Sequence, residues 1–339
     1  MSLQLSILDQ SPVHGTETAA EALRHTVELA KKAEAWGYHR FWVSEHHGSN
    51  RVMGSSPEVL IAHVLAKTSR IRVGAGGVML QHYSPYKVAE NFNVLASLAP
   101  GRVDLGIGRG PGGQPRSTRA LQQGTGHDAK SLAEKLVELE QFLHDRLTET
   151  HPLYGLHASP RPPQPAGLFL LGTTTSSGEM AASFGMPYVF ALFLNRDVTV
   201  MRQAVDVYRR QFDTSRGTQP QTLLALPVFA AESDAEAQHY ASDMRMVRIR
   251  LESGRTFTLG TVEAAEEFGK QSGEPYTIEQ QEADIICGSL ATVRKQLYDI
   301  QRAYEVDELI IVTSVREYHK RFRSYELLSD LCARVPVAS

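Results

Sequence analysis

The chain has 339 residues, 42% of them apolar and 22% charged, with a formal net charge of −3. That balance suits a folded chain large enough for one big α/β barrel or two medium domains. It offers no basic stripe for nucleic acid or an anionic membrane surface, and no apolar run approaches the ~20 residues that span a bilayer.

The opening "MSLQLSILDQSP" has no basic leader and enters a strand-like run at 3–10, so no signal peptide is expected. A helix follows in "TAAEALRHTVELAKKAEAWG". Thr18 and Glu21 have capping-box spacing, Leu23, Val27 and Ala30 mark one face, and Gly37 stops it. "HRFWVSE" reads as the second strand, and "SPEVLIAHVLAKTS" as a helix capped by Ser56 with Pro57 in its first position. "IRVGAGGVML" is the third strand, before another Ser-Pro helix start at Ser84 and Pro85. "RVDLGIGRG" (102–110) is the fourth, followed by a Gly/Pro-rich loop and a helix from about Asp128 to Leu147. After a proline-rich connector at 159–167 come the pairs "LFLLGTTT" with "SSGEMAASFG" and "YVFALFL" with "DVTVMRQAVDVYRRQF". Next is "TLLALPVFAAE" with a charged helical stretch at 234–252. The region 253–283 is polar and patternless, "DIICGS" is a short extra element, and "ELIIVTS" with "EYHKRFRSYELLSDLCAR" forms the last pair.

Setting "DIICGS" aside leaves eight strand–helix units whose strands are apolar enough to be covered on both faces. The pattern predicts a (β/α)8 TIM barrel of the α/β class as one domain over 1–339, with insertions at 110–127, 148–166 and 253–283. Cys287 and Cys332 fit no metal or redox spacing and are expected as buried thiols in a reducing cytoplasm.

In such a barrel every strand's C-terminal end reaches the face that carries the chemistry. Unusual stretches fall at four consecutive exits. Glu45, His46 and His47 follow the second strand, Gly74 to Gly77 end the third, Gly106 to Gly110 end the fourth, and "GTTTSSGE" (172–179) follows the fifth. A glycine, a Thr/Ser run and a helix start together provide free amides, hydroxyls and a positive dipole end, which suit a phosphate. Simple capping by Thr175, Ser176 and Ser177 is the structural alternative. Arg109 at the neighbouring exit can clamp phosphate oxygens. Repeated glycine implies either a flat guest close to the backbone or tight packing at the barrel neck. A ring on strands three and four, with its phosphate at strand five, accounts for both glycine clusters and the anion site. Adjacent histidines face opposite ways along a strand, which suits one imidazole at the mouth better than a zinc pair.

"GYHRFWVSEHHG", "RIRVGAGGVMLQHYSPYKVAENFNVLASLAPGRVDLGIGRG" and "LGTTTSSGEMAASFGMPYVFA", in this order and separation, resemble the bacterial luciferase-like, flavin-dependent monooxygenase superfamily. The similarity runs on to "VREYHKRFRSYELL" and is weaker over 148–166 and 214–283. The resemblance implies a barrel, usually a homodimer, that takes reduced FMN from a separate NAD(P)H-dependent reductase. With O2 it would form a peroxyflavin and oxidise a small organic substrate. No nicotinamide-binding fingerprint follows any strand, in keeping with a separate reductase. The resemblance makes His46 the catalytic histidine, with Glu45 or His47 orienting it. It puts a non-prolyl cis peptide at Gly76–Gly77 behind the isoalloxazine. It assigns the phosphate to Arg109, preceded by Gly108, and to the loop containing Gly172, Thr173, Thr174, Ser176 and Ser177. Luciferase itself has a reactive cysteine at the Gly108 position, and the loop 110–118 is short here. Both point away from long-chain aldehyde oxidation and light emission, toward the general monooxygenase branch. Loops 110–127 and 253–283 are candidates for a lid, and helices 57–68 and 86–98 for a dimer interface. Rival readings are a deazaflavin-dependent hydride-transfer oxidoreductase, a metal-dependent barrel hydrolase and a non-catalytic flavin-binding protein. The organic substrate is not legible in the sequence.

Overall fold

The computed structural model describes residues 3–123, 130–242, 244–315 and 317–332. The first half runs β1 (Leu5–Asp9), α1 (Ala19–Trp36), β2 (Arg40–Val43), α2 (Pro57–Leu65), β3 (Arg72–Val78), α3 (Pro85–Leu98) and β4 (Val103–Ile107). Then come α4 (Pro115–Leu121), α5 (Leu132–Leu143), β5 (Gly167–Gly172), α6 (Thr175–Ser183), β6 (Tyr188–Ala191), α7 (Val198–Gln211) and β7 (Thr222–Ala231). The remainder is α8 (Asp234–Ser242), β8 (Arg245–Leu251), β9 (Thr256–Leu259), α9 (Val262–Ser272), β10 (Tyr276–Glu282), β11 (Ile286–Ser289), α10 (Leu290–Tyr304), β12 (Glu308–Val312) and α11 (Tyr318–Leu328).

Strands β1 to β7 and β12 pair in parallel, and β12 returns to β1, closing the expected eight-stranded (β/α)8 barrel. Both faces of each strand are covered, as the apolar runs require. Outward residues such as Ile7, Phe41, Val73 and Leu105 join the helices in one cluster. Leu8, Trp42, Phe169, Val189, Leu223 and Ile310 fill the lumen. At the N-terminal ends of the strands Arg40 closes the barrel floor. Its Nε donates to Glu308 at 3.0 Å and its Nη1 to Asp104 Oδ2 at 2.9 Å. Asp104 also accepts from Trp42 Nε1 at 3.0 Å and from Arg72 Nε at 3.1 Å. "DIICGS" is an added strand: β11 lies outside the barrel on the overrunning end of β7, with Ile286 opposite Val228.

Several local expectations are corrected. The buried stripe of α1 is Ala22, Thr26, Leu29, Ala30 and Ala33, so Leu23 and Val27 flank it. Small residues let this helix sit close to the barrel. Ser56 occupies the N-cap of α2 without a side-chain cap bond, whereas Ser84 does cap α3. The helix expected from Asp128 to Leu147 is Leu132–Leu143, begun by a Ser131–Glu134 capping box; Asp128 lies outside the described residues. The helical stretch expected at 234–252 stops at Ser242, and Arg245–Leu251 is a strand.

That strand is the centre of an antiparallel sheet, β10-β8-β9. Val247, Ile249 and Leu251 pack on Ala265 and Phe268 of α9. Among the described residues no helix is long and apolar enough to cross a membrane.

Candidate active site at the barrel mouth

The three titratable residues after β2 divide into two environments. Glu45 is fully buried and accepts three hydrogen bonds or ion-pair contacts: from the Tyr83 hydroxyl at 2.8 Å, from the Met79 amide at 3.0 Å, and from His47 Nε2 at 2.7 Å. Burial, then the Glu45 charge, pushes the Tyr83 phenol well above its ordinary pKa, so it stays a donor. Among the described residues the His46 ring makes no hydrogen bond to Glu45 or His47; its Nδ1 lies 2.9 Å from the Ser44 hydroxyl. Glu45 or His47 was expected to orient His46, but among the described residues the hydrogen bond on its ring is to Ser44, and Glu45 and His47 act on it through charge. Burial, reinforced by His47 and opposed by Glu45, lowers His46 to about 4, so its imidazole is neutral near pH 7.

The backbone of His47 holds the loop after β4. Its amide donates to the Gly112 carbonyl at 2.7 Å, and it forms an isolated parallel bridge with Gly113. His82 Nε2 lies 2.9 Å from the Pro111 carbonyl oxygen, and Gln81 donates to Gly110. Lys135 from α5 fixes the turn beneath, its Nζ donating to the carbonyls of Gln81 and Tyr83, each at 2.9 Å. The exits of β2, β3 and β4 thus form one bonded surface.

At the next exits Arg109 Nη1 donates to Ser176 Oγ at 3.3 Å, and Thr174 Oγ1 lies 3.0 Å from the same hydroxyl. Thr174 caps α6 by accepting from the Ser177 amide. The amides of Thr175 and Ser176 occupy the first helical turn, where no intrahelical carbonyl serves them. Arg109 is exposed, and among the described residues its side chain has no carboxylate partner. Free guanidinium donors, two hydroxyls and helix-end amides suit a phosphate dianion. Ser177 does not take part through its side chain. Its hydroxyl is buried, donating to the Thr174 carbonyl at 2.5 Å and lying 2.8 Å from the Tyr188 hydroxyl. Asn195 Nδ2 donates to the Thr173 carbonyl at 2.8 Å, tying the β6 exit to this loop.

Chain packing accounts for the missing side chains of these glycines. A Cβ on Gly76 would meet Leu8 and Trp42 at 2.9 Å, one on Gly77 the Gly106 carbonyl at 2.6 Å, and one on Gly108 Met79 at 2.9 Å. On Gly172 it would run into the Ser177 side chain. On the Cβ side, the space credited to a guest at strands three and four is thus filled by the protein at Gly76, Gly77 and Gly108. The Gly76–Gly77 peptide is cis, as the resemblance implied.

The excursion between α8 and β11 sits over this mouth. Gln114 Nε2 donates to the Ala264 carbonyl at 3.1 Å, and the Thr258 hydroxyl to the Leu194 carbonyl at 3.0 Å. Arg51 from the β2 exit approaches Gly260. Ser44, Tyr83, Lys135 and these roof contacts were not singled out in the sequence, because isolated hydroxyls and a lone lysine carry no spacing signal.

The sequence matches the family described as luciferase-like monooxygenase over residues 1–304. It is 42% identical over 330 residues to an N-acetyl-S-alkylcysteine monooxygenase of Bacillus subtilis (strain 168), covering 97% of this chain and 98% of that one. The fold superposes on the crystal structure of apo-MsnO8 with a TM-score of 0.79 at 35% identity, covering 97% of both chains. Two solved structures share the fold alone. One is the oxygenating constituent of a 3,6-diketocamphane monooxygenase from Pseudomonas putida in complex with FMN, with a TM-score of 0.72, 17% identity and 100% of both chains covered. The other is an F420-dependent secondary alcohol dehydrogenase, with a TM-score of 0.66, 12% identity, and 98% of this chain and 100% of that one covered.

Proposed function

The chain belongs to the luciferase-like monooxygenase family, and from that membership we propose that it is the oxygenating component of a two-component, FMN-dependent system acting on a small organic substrate. Reduced FMN, delivered in the cytoplasm by a separate NAD(P)H-dependent reductase, would supply the electrons that activate O2. The observation that carries the cofactor reading is the Arg109–Ser176 contact at the start of α6, with guanidinium, hydroxyl and amide donors converging. Thr174 holds that turn in shape, Gly76–Gly77 and Gly108 lend backbone beside the ring, and Gly172 with buried Ser177 keeps the loop packed.

His46 is the catalytic residue in this reading. Ser44 occupies Nδ1 and leaves Nε2 to accept or hold a proton at the reacting centre. Its low pKa suits a proton acceptor, since the neutral form is already present. Glu45, Tyr83 and His47 keep the wall of the mouth rigid, and the roof over 245–282 excludes water from oxygen chemistry that water would divert. We read 1–339 as one domain and the assembly as a homodimer through α2 and α3, where Val59, Val94 and Leu98 are 67%, 43% and 75% exposed.

The test is reconstitution. The protein should quench FMN fluorescence and, with an NADH-driven flavin reductase, consume O2 in a substrate-dependent way. The panel is N-acetyl-S-alkylcysteines, ketones, aldehydes and alkanesulfonates. Binding of a deazaflavin in preference to FMN would transfer the chain to the hydride-transfer branch, and FMN binding without substrate-dependent uptake would make it a carrier.

A further inference from the structure

A buried arginine ordinarily finds acceptors for its donors, because an unpaired guanidinium loses its water and gains nothing. Half-buried Arg196 departs from this at two atoms: among the described residues its Nε and Nη1 are sealed from solvent and neither has a hydrogen-bond partner. It follows Asn195, whose side chain is tied to Thr173, so the loop after β6 is held beside the α6 start. From the other side the Thr258 hydroxyl of β9 donates to the Leu194 carbonyl. Thr258 is the register partner of Arg248 in β8, and partners across an antiparallel pair share a face. The opposite face, with Val247, Ile249 and Leu251, is committed to α9. Arg248 is therefore presented on the side of the roof that meets the Arg196 loop.

Electrostatics agree with this placement. Burial lowers the Arg196 pKa, Asp284 opposes that, and Arg248 adds to it. Asp284 is exposed, and among the described residues it makes no salt bridge to either arginine. Two cations from separate elements, one on the rim and one on the roof, act on each other, and the Asp284 carboxylate that also acts on Arg196 leaves its sealed Nε and Nη1 without an acceptor. Such an arrangement is costly for the protein alone and favourable once an oxyanion supplies the acceptors.

We propose that Arg196 and Arg248 form an oxyanion subsite between barrel rim and roof that takes the carboxylate of the organic substrate. This rests on the flavin reading above, which gives the neighbouring phosphate its own donors at Arg109 and α6. It narrows the substrate class to small organic acids whose oxidisable group extends from the carboxylate toward His46.

The experiment compares N-acetyl-S-methylcysteine with its methyl ester by calorimetric titration of the FMN-loaded protein, in the wild type and in Arg196→Met, Arg196→Lys and Arg248→Met. FMN and riboflavin affinities are measured in parallel by fluorescence quenching. The wild type should bind the acid about tenfold or more tightly than the ester, as a charge-assisted contact requires. Each Met substitution should remove most of that preference while FMN affinity holds, and Arg196→Lys should keep part of it. Arg248→Met, at a partly exposed strand position, keeps the test decisive if Arg196→Met fails to fold. Equal binding of acid and ester, no binding of either, or a preference that survives the Met substitutions overturns the subsite. So does weaker FMN binding with riboflavin unaffected in Arg196→Met, which would give this arginine to the flavin phosphate. Absence of FMN binding in the wild type is a separate failure, that of the flavin reading itself.

Discussion

His46 and His47 are neighbours in the chain but answer to different partners, and their division sets what each substitution should do. Replacing His46 with Ala removes the proposed proton acceptor while Arg109 and the α6 start remain. Turnover should then fall by roughly 10²–10⁴ with FMN affinity within a factor of two or so; full activity in that variant would dismiss the histidine from the chemistry. The same residue couples folding to acid. Its pKa drops from 6.5 to about 4 on folding, so the unfolded chain takes up the proton first. The stability it contributes is whole above pH 6.5 and is lost as pH falls toward 4, about 3 kcal/mol across that span. His39, also lowered to about 4 by burial, acts in the same direction. Urea midpoints from pH 7 to pH 4.5 should therefore fall less steeply in His46→Gln than in the wild type, without becoming flat. The histidine pair was visible in the sequence because three titratable residues end an apolar run. Ser44 and Tyr83 were not, because each acts through one hydroxyl whose reach depends on folded geometry.

At the scale of elements, regular pairs were legible and the excursion was not. Seven of the barrel's strands lead into helices whose starts carry Ser, Thr, Asp or Pro signals, and hydrophobic runs do the rest. The charge of Arg245–Leu251 reads as helix. Yet Val247, Ile249 and Leu251 alternate with Arg248 and Arg250, which is the period of a half-buried strand. The polar sequence of β10 hides its pairing, since its register with β8 is set by partners some thirty residues away. The loop between β5 and α6 shows how a glycine in a motif can have a packing cause. Gly172 looks like room for phosphate, but its missing Cβ is where Ser177 sits. Gly172→Ala should push the α6 start outward, cost about 1–3 kcal/mol by overpacking, and weaken FMN binding. Adding Ser177→Gly should recover part of both, as urea midpoints and fluorescence titration would show. A Gly172→Ala variant as stable as the wild type would mean that the loop yields easily and that glycine is kept there for the ligand after all.

Across the whole molecule, the buried ion-pair floor and the proposed site sit at opposite ends of the barrel, and the outer surface adds a third region. Leu98 on α3 is 75% exposed and follows the exposed Val94 by one turn, apolar surface that the proposed dimer would cover. Leu98→Glu should shift the protein toward monomer in sedimentation analysis, and an unchanged mass would move the interface elsewhere. The floor was invisible to sequence reading because Arg40, Asp104 and Glu308 come from three distant strands and meet only once the barrel closes. Burial raises the Glu308 pKa even against the opposing pull of Arg40, so the guanidinium is what makes a charged carboxylate tolerable there. Arg40→Met leaves Asp104 with Arg72 and Trp42 but strips Glu308 of its only cation among the described residues. Breaking such a buried pair from one side costs about 3–5 kcal/mol, more than truncating an exposed ion pair. The urea midpoint should fall accordingly, and adding Glu308→Gln should restore part of it by removing the stranded charge. FMN affinity of the folded fraction should stay unchanged, because no floor residue reaches the strand exits. If Arg40→Met abolished FMN binding while circular dichroism still reported a folded barrel, the two ends would be coupled through the lumen, and Trp42, which bonds to Asp104 below and packs against Gly76 above, would be the residue to examine next.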